Sequence, residues 1–197
     1  MLVSSFLTFP NISWWMRVVE AGNVLFDAGE HFQKMSYRNR YRISGSNNSI
    51  LLTVPLESGR EQRQPMKEVK IFNTDMWQVQ HWRTLVSVYK RTPYFDFYEH
   101  SLAALYEDDY TYLVDFNSAS IGWVRAQLKL EFTINKTDEF VKEYPRDIID
   151  LRNEKKSNLQ TPKYYQVFED RIGFQPDLSI LDLLFSEGPG AVDLLKG

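Results

Sequence analysis

The chain opens on an apolar run, and residues 2–9 (LVSSFLTF) predict a buried first strand. Asn11 then stands where it can cap a helix whose apolar residues Ile12, Trp15, Met16 and Val19 follow the i, i+3, i+4, i+7 spacing, and Gly22 is placed to end it. NVLFD, 23–27, predicts a second short strand. Strand, short helix and strand in so few residues predict a βαβ opening and hence a parallel pair. Residues 35–43 alternate apolar and polar positions, and 50–57 (ILLTVPLE) form another strand-like run. The SGSNNS between them supplies turn residues, so the two predict a hairpin. Residues 57–65 read as an exposed polar loop, and KEVKIF, 67–72, alternates as a further strand.

Beyond residue 73 the period changes from two to that of a helix. Val79, Trp82, Val86 and Tyr89 predict a helix over 75–91, which Pro93 interrupts. Residues 94–108 and 112–130 also read as helices, EFTIN (131–135) as a weak strand, and 136–163 as a charged stretch. In the tail, Ser179-Ile-Leu-Asp182 matches a capping box, with Gly188-Pro189 ending that helix and starting another. The pattern predicts one α/β domain over 1–197. It has a mixed sheet opened by a βαβ unit and a hairpin in the N-terminal third, followed by a largely helical second half.

Composition supports that picture and narrows the chemistry. Aromatics reach 15%, enough to fill a core or to line a small-molecule pocket. The net charge of −3 argues against nucleic acid as a partner, which calls for a basic domain or stripe. The absence of cysteine removes disulfides and thiolate metal sites, and the three histidines (His31, His81, His100) lack helical metal-ligand spacing. No metal and no cofactor is expected. The N-terminus lacks the basic region and cleavage site of a signal peptide, and no run approaches the length of a membrane span. A cytoplasmic location follows as the expectation.

The strongest chemical signal is KMSYRNRYRI, 34–43. As a regular strand it puts Arg38, Arg40 and Arg42 on one face, opposite Met35, Tyr37, Asn39, Tyr41 and Ile43. Like charges in a row repel, so the arginines either answer neighbouring carboxylates such as Asp27 and Glu30 or hold an anionic ligand through their planar forks. Glu30, His31 and Lys34 precede them and supply candidate bases and a further anion contact. His81 lies between Trp77 and Trp82, where aromatic walls either tune it for proton transfer or stack with it in a core. Arg152 lies in the charged stretch, which reads as a solvated surface or as a lid over a site. Asp182 has a structural duty in its capping box. The chain holds no phosphate-binding loop, dinucleotide fingerprint or nucleophile elbow.

Several of these strings together resemble the WbqC-like protein family: SYRNRYRI, ILLTVPLE, the Trp77–His81 helix, PYF at 93–95, YYQVF and the closing GFQPDLSILDLLFSEGP. The resemblance runs over about residues 7–195. In place of the tyrosine- and proline-containing string that many members carry after the first strand, this chain has FLTFPNISWW. The resemblance implies a role in surface-polysaccharide (O-antigen type) biosynthesis, with transfer of glycyl or another small acyl group onto a nucleotide-linked sugar. The resemblance assigns no catalytic residues; read from the residues themselves, the candidate catalytic residues are His81, His31 and Glu30. Those for an anionic substrate such as a nucleotide sugar are Arg40, Asn39, Arg38, Lys34, Trp77 and Arg152, with Arg40 facing the ligand and Asn39 holding the backbone. A non-catalytic sugar- or partner-binding protein of the same pathway is the alternative.

Overall fold

The computed structural model describes residues 1–57, 64–137, 139–153 and 159–197. The predicted opening is present: β1 (Leu2–Ser4), α1 (Ile12–Ala21) and β2 (Asn23–Asp27) form a βαβ unit in which β1 and β2 pair in parallel. Gly22 ends α1 in the left-handed conformation at φ 65°, its N–H on the Val18 carbonyl, the geometry a glycine adopts without steric cost. Two later strands complete the sheet. β5 (Thr133–Thr137) pairs with β2 and β6 (Ile149–Asp150) with β1, both in parallel, so the order across the sheet is β5-β2-β1-β6. β1 is shorter than the 2–9 run predicted, because residues 5–10 leave the sheet to reach the start of α1.

A separate antiparallel hairpin joins β3 (Arg40–Ile43) to β4 (Ile50–Thr53) through the predicted turn. Its first arm is four residues, not the nine predicted. Residues 34–39 form turns, with Met35 at φ 54°, so the alternation over 35–39 has no partner strand behind it. The predicted strand at 67–72 is also absent. Met66–Glu68 is a 3-10 turn, and only isolated bridges tie Lys70 to Tyr112 and Ile71 to Leu56. Most of the predicted 57–65 loop lies outside the described residues.

The helical half follows the sequence closely: α2 (Trp77–Tyr89), α3 (Phe95–Glu107), α4 (Leu113–Gln127), the short α5 (Glu169–Ile172), α6 (Ile180–Glu187) and α7 (Ala191–Lys196). The buried stripe of α2 is Trp77, His81, Leu85, Val88 and Tyr89, rotated from the predicted Val79-Trp82-Val86-Tyr89 face. His81 therefore points inward among Trp77, Tyr41 and Tyr106. α6 is buried along seven of its eight residues and packs on α1 and α3. Gly188 turns the chain after it at φ 54°, where a Cβ would come within 2.4 Å of the Tyr94 ring, so no other residue fits.

Candidate functional site

Two cavities open beside the segment from Lys34 to Arg42, and no residue lines both. The first, about 490 Å³, lies at the carboxyl ends of β1 and β6. β1 connects through α1 to β2 on one side, while β6 lies on its other side, so this is the point where strand order reverses. Open α/β sheets present their ligand crevice at such a point. Ser5 and Leu7 reach it from β1, Leu151 and Arg152 from β6, and Asn11, Ser13 and Trp14 from the start of α1.

Its lining is cationic: Arg17, Arg38, Arg42, Arg152 and Lys163 face one carboxylate, Asp177. Arg38 and Arg152 are held by carboxylates. Arg38, 2% exposed, clasps Glu30 through Nε at 3.0 Å and Nη2 at 2.6 Å, and Nη2 also donates to the Arg152 carbonyl. Arg152 donates from Nη1 to Asp27 at 2.6 Å and from Nη2 to Asp150 at 2.6 Å, with its guanidinium 4.7 Å from the Tyr144 ring centroid. Asp27 in turn accepts from the backbone N–H groups of Gly29 and Glu30. This network forms a rigid floor. Above it, Arg42 is exposed; it donates to the Tyr37 hydroxyl at 2.8 Å and, among the described residues, pairs with no carboxylate.

Asp177 does local work of a different kind. Asn11 caps α1 by position but not by its side chain. The Asp177 carboxylate instead accepts from the Ser13 N–H at 2.8 Å, the Ser13 hydroxyl at 3.0 Å and the Asn11 amide at 2.5 Å. It thereby places an anion on the positive end of the helix dipole.

The second cavity, about 500 Å³, is mainly apolar, with Phe32, Met35, Val54, Pro55 and Leu56 in its wall and Met35 84% exposed. Asn39 and Arg40 both line it, along with Lys34. A regular strand would send these neighbours to opposite faces, but β3 begins only at Arg40, which frees Asn39 to turn the same way. The Asn39 amide donates to the Val54 carbonyl at 2.9 Å and so braces the hairpin.

The sequence-predicted site residues thus divide among three places. Arg38 and Arg152 belong to the crevice, and Glu30 supports it from below. Lys34, Asn39 and Arg40 belong to the second cavity. Trp77 and His81 lie in the core and line neither. His81, 4% exposed, shares a hydrogen bond between Nδ1 and the Tyr41 hydroxyl at 3.2 Å and one between Nε2 and the Thr53 carbonyl at 3.2 Å. Burial pushes its pKa down to about 4. His31 is exposed, its ring 6.0 Å from that of Phe140. Asp182 does not close the capping box. Ser179 accepts from the Leu181 N–H, while the Asp182 carboxylate takes the Tyr89 and Tyr164 hydroxyls at 2.5 and 2.7 Å. Sequence reasoning passed over Arg17 and Asp177, which lie far apart along the chain; the helix start PNIS and the turn-forming PD at 176–177 were the available signals. Among the described residues no cluster of histidine, aspartate and glutamate is arranged to hold a metal ion, and no helix is long and apolar enough to cross a membrane.

The sequence model of the WbqC-like protein family matches residues 7–159, more than three quarters of the chain. The chain belongs to the WbqC-like protein family. The matched span of this WbqC-like protein includes both β3 and β6, and hence most of the crevice and the whole of the second cavity. Residues 160–177, which close the crevice, and the α6 string lie beyond it. Uncharacterized protein Rv1507c of Mycobacterium tuberculosis is 28% identical, with 84% of each chain covered. No solved structure matches.

Proposed function

We propose that this WbqC-like protein binds a nucleotide-linked or otherwise phosphorylated sugar in the crevice, and transfers a small acyl group such as glycyl to it in surface-polysaccharide biosynthesis. The observation that carries the reading is the cationic lining of the crevice at the switch point, where Arg42 and Lys163 stand beside a floor whose two arginines are held by three carboxylates. A pyrophosphate meets there the planar donors that suit it. Membership of the family is what supports the choice of pathway. For the chemistry, His31 is the proton acceptor retained, because its side chain is exposed while His81 and Glu30 are bonded and buried.

One observation favours the alternative of a binding protein without catalysis: among the described lining residues of the crevice there is no histidine, and Asp177 is committed to α1. Calorimetry with UDP-N-acetylglucosamine and free N-acetylglucosamine tests the binding claim. Only the nucleotide sugar is expected to bind, with affinity falling at least about tenfold in Arg42→Ala, the loss of one charge-assisted contact. Equal affinity in Arg42→Ala overturns the assignment of the crevice. Mass spectrometry of the nucleotide sugar after incubation with activated acyl donors separates the two readings, since only a transferase adds mass and His31→Ala then abolishes the addition.

A further inference from the structure

The second cavity is lined by two residues adjacent in the chain that each keep one polar atom shielded from solvent and unmatched. Among the described residues Asn39 Oδ1 and Arg40 Nε have no hydrogen-bond partner. The orientation of the Asn39 amide is set by chemistry, because the Val54 carbonyl accepts and the amide nitrogen must face it; the oxygen is left over. Asn39 is 6% exposed, so that oxygen lacks water as well. Buried polar groups without partners are uncommon and costly, and here an acceptor and a donor occur side by side. Around them the cavity is greasy, walled by Phe32, Val54 and Leu56, and its volume of about 500 Å³ is in the range of small-molecule sites. Lys34 adds a second positive charge.

We propose that this cavity is a second ligand site, for an amphipathic carboxylic acid that carries an N–H group beside its acid and an apolar body behind it. The carboxylate takes the Arg40 guanidinium and Lys34, the N–H meets Asn39 Oδ1 as the side chains that cover it shift to admit the ligand, and the apolar body lies along Phe32, Val54 and Leu56. A bare anion leaves the walls and Asn39 unused, and a plain hydrocarbon leaves both polar atoms unmatched. That the occupant is the second reactant of the crevice chemistry rests on the proposed function; the binding site itself does not.

Calorimetry with N-octanoylglycine, its methyl ester and octanoate tests the assignment on the wild-type protein, so that folding is not in question. The free acid is expected to bind one to one, the ester at least about tenfold more weakly and octanoate at an intermediate level, from the loss of a charged and a neutral hydrogen bond respectively. Arg40→Ala weakens the acid about as much as esterification does, Arg42→Ala leaves it unchanged, and saturating acid leaves UDP-N-acetylglucosamine binding intact. No binding of the acid, an ester that binds equally well, or a loss in Arg42→Ala matching that in Arg40→Ala overturns the site. If the nucleotide sugar fails to bind while the acid binds, the crevice reading falls and this site stands; the converse result removes this site alone.

Discussion

The crevice and the interior behind β3 bury ionisable groups by opposite means. Beneath the crevice, two arginines, Arg38 and Arg152, meet three carboxylates, Glu30, Asp27 and Asp150, through short ion pairs. Behind β3 and α6, neutral hydroxyls satisfy the titratable groups instead: Tyr41 on His81, Tyr89 and Tyr164 on Asp182. The first arrangement is polar to its centre and keeps cations available at its rim. The second suits a core, because each titratable group meets a hydroxyl partner, and it ties the helices to the hairpin through bonds that only one packing satisfies. Where charge meets charge the molecule opens to a crevice; where a titratable group meets hydroxyls the molecule faces itself.

Removing one ion should break the crevice floor most severely. Arg38→Ala leaves Glu30 buried without its partner and is expected to cost about 3–5 kcal/mol in urea unfolding. The double change Arg38→Met with Glu30→Leu should recover much of that loss, since an apolar pair has no charge to desolvate. No recovery would mean that the arginine acts through packing or through the Arg152 carbonyl instead.

The hydroxyl-bonded interior responds to pH. His81 stays neutral when folded and takes up a proton when unfolded, so the stability it contributes is present above about 6.5 and drains away as pH falls toward about 4, on the order of 3 kcal/mol in all. Asp182 works the other way. Burial raises its pKa, so its contribution grows as pH falls through that raised value and is lost as pH rises. In His81→Gln the acid-side loss should disappear in unfolding curves taken between pH 6.5 and 4, and a curve like that of the wild type would assign the loss elsewhere. A smaller effect is expected for Asp182→Asn, about 1–3 kcal/mol, because the two tyrosines donate to different carboxylate oxygens and one of them would then face an NH2 donor.

What the sequence disclosed follows the range of the forces involved. The βαβ opening, the hairpin turn and the three long helices rest on local periodicity and punctuation, and each was legible to within a few residues. The arginine ladder was not, because Glu30 draws Arg38 inward and the chain turns before β3. Of the crevice, Arg38 and Arg152 were legible as residues with a use for their charge, and two of their three partners were in view: Glu30 and Asp27 were weighed, Asp150 was not. Arg17 and Asp177 escaped notice because the crevice is assembled from distant segments. Of the two tryptophans read beside His81, only Trp77 packs on its ring; the other neighbours, Tyr41 and Tyr106, come from distant segments. Trp77-His81-Leu85-Val88 traces the buried face of α2 once the histidine is counted with the apolar residues.

The contact between Asp177 and α1 also has a kinetic side. The Ser13 N–H meets a carboxylate 164 residues away, and the Ser179 hydroxyl meets the Phe9 carbonyl across 170. Closing so long a loop costs entropy before any contact repays it, and folds of this kind reach the native state slowly. A refolding chain can pair β1 with β2 early, since only α1 separates them. It does not own a crevice until its tail has docked, so ligand binding should be among the last properties to return after dilution from denaturant.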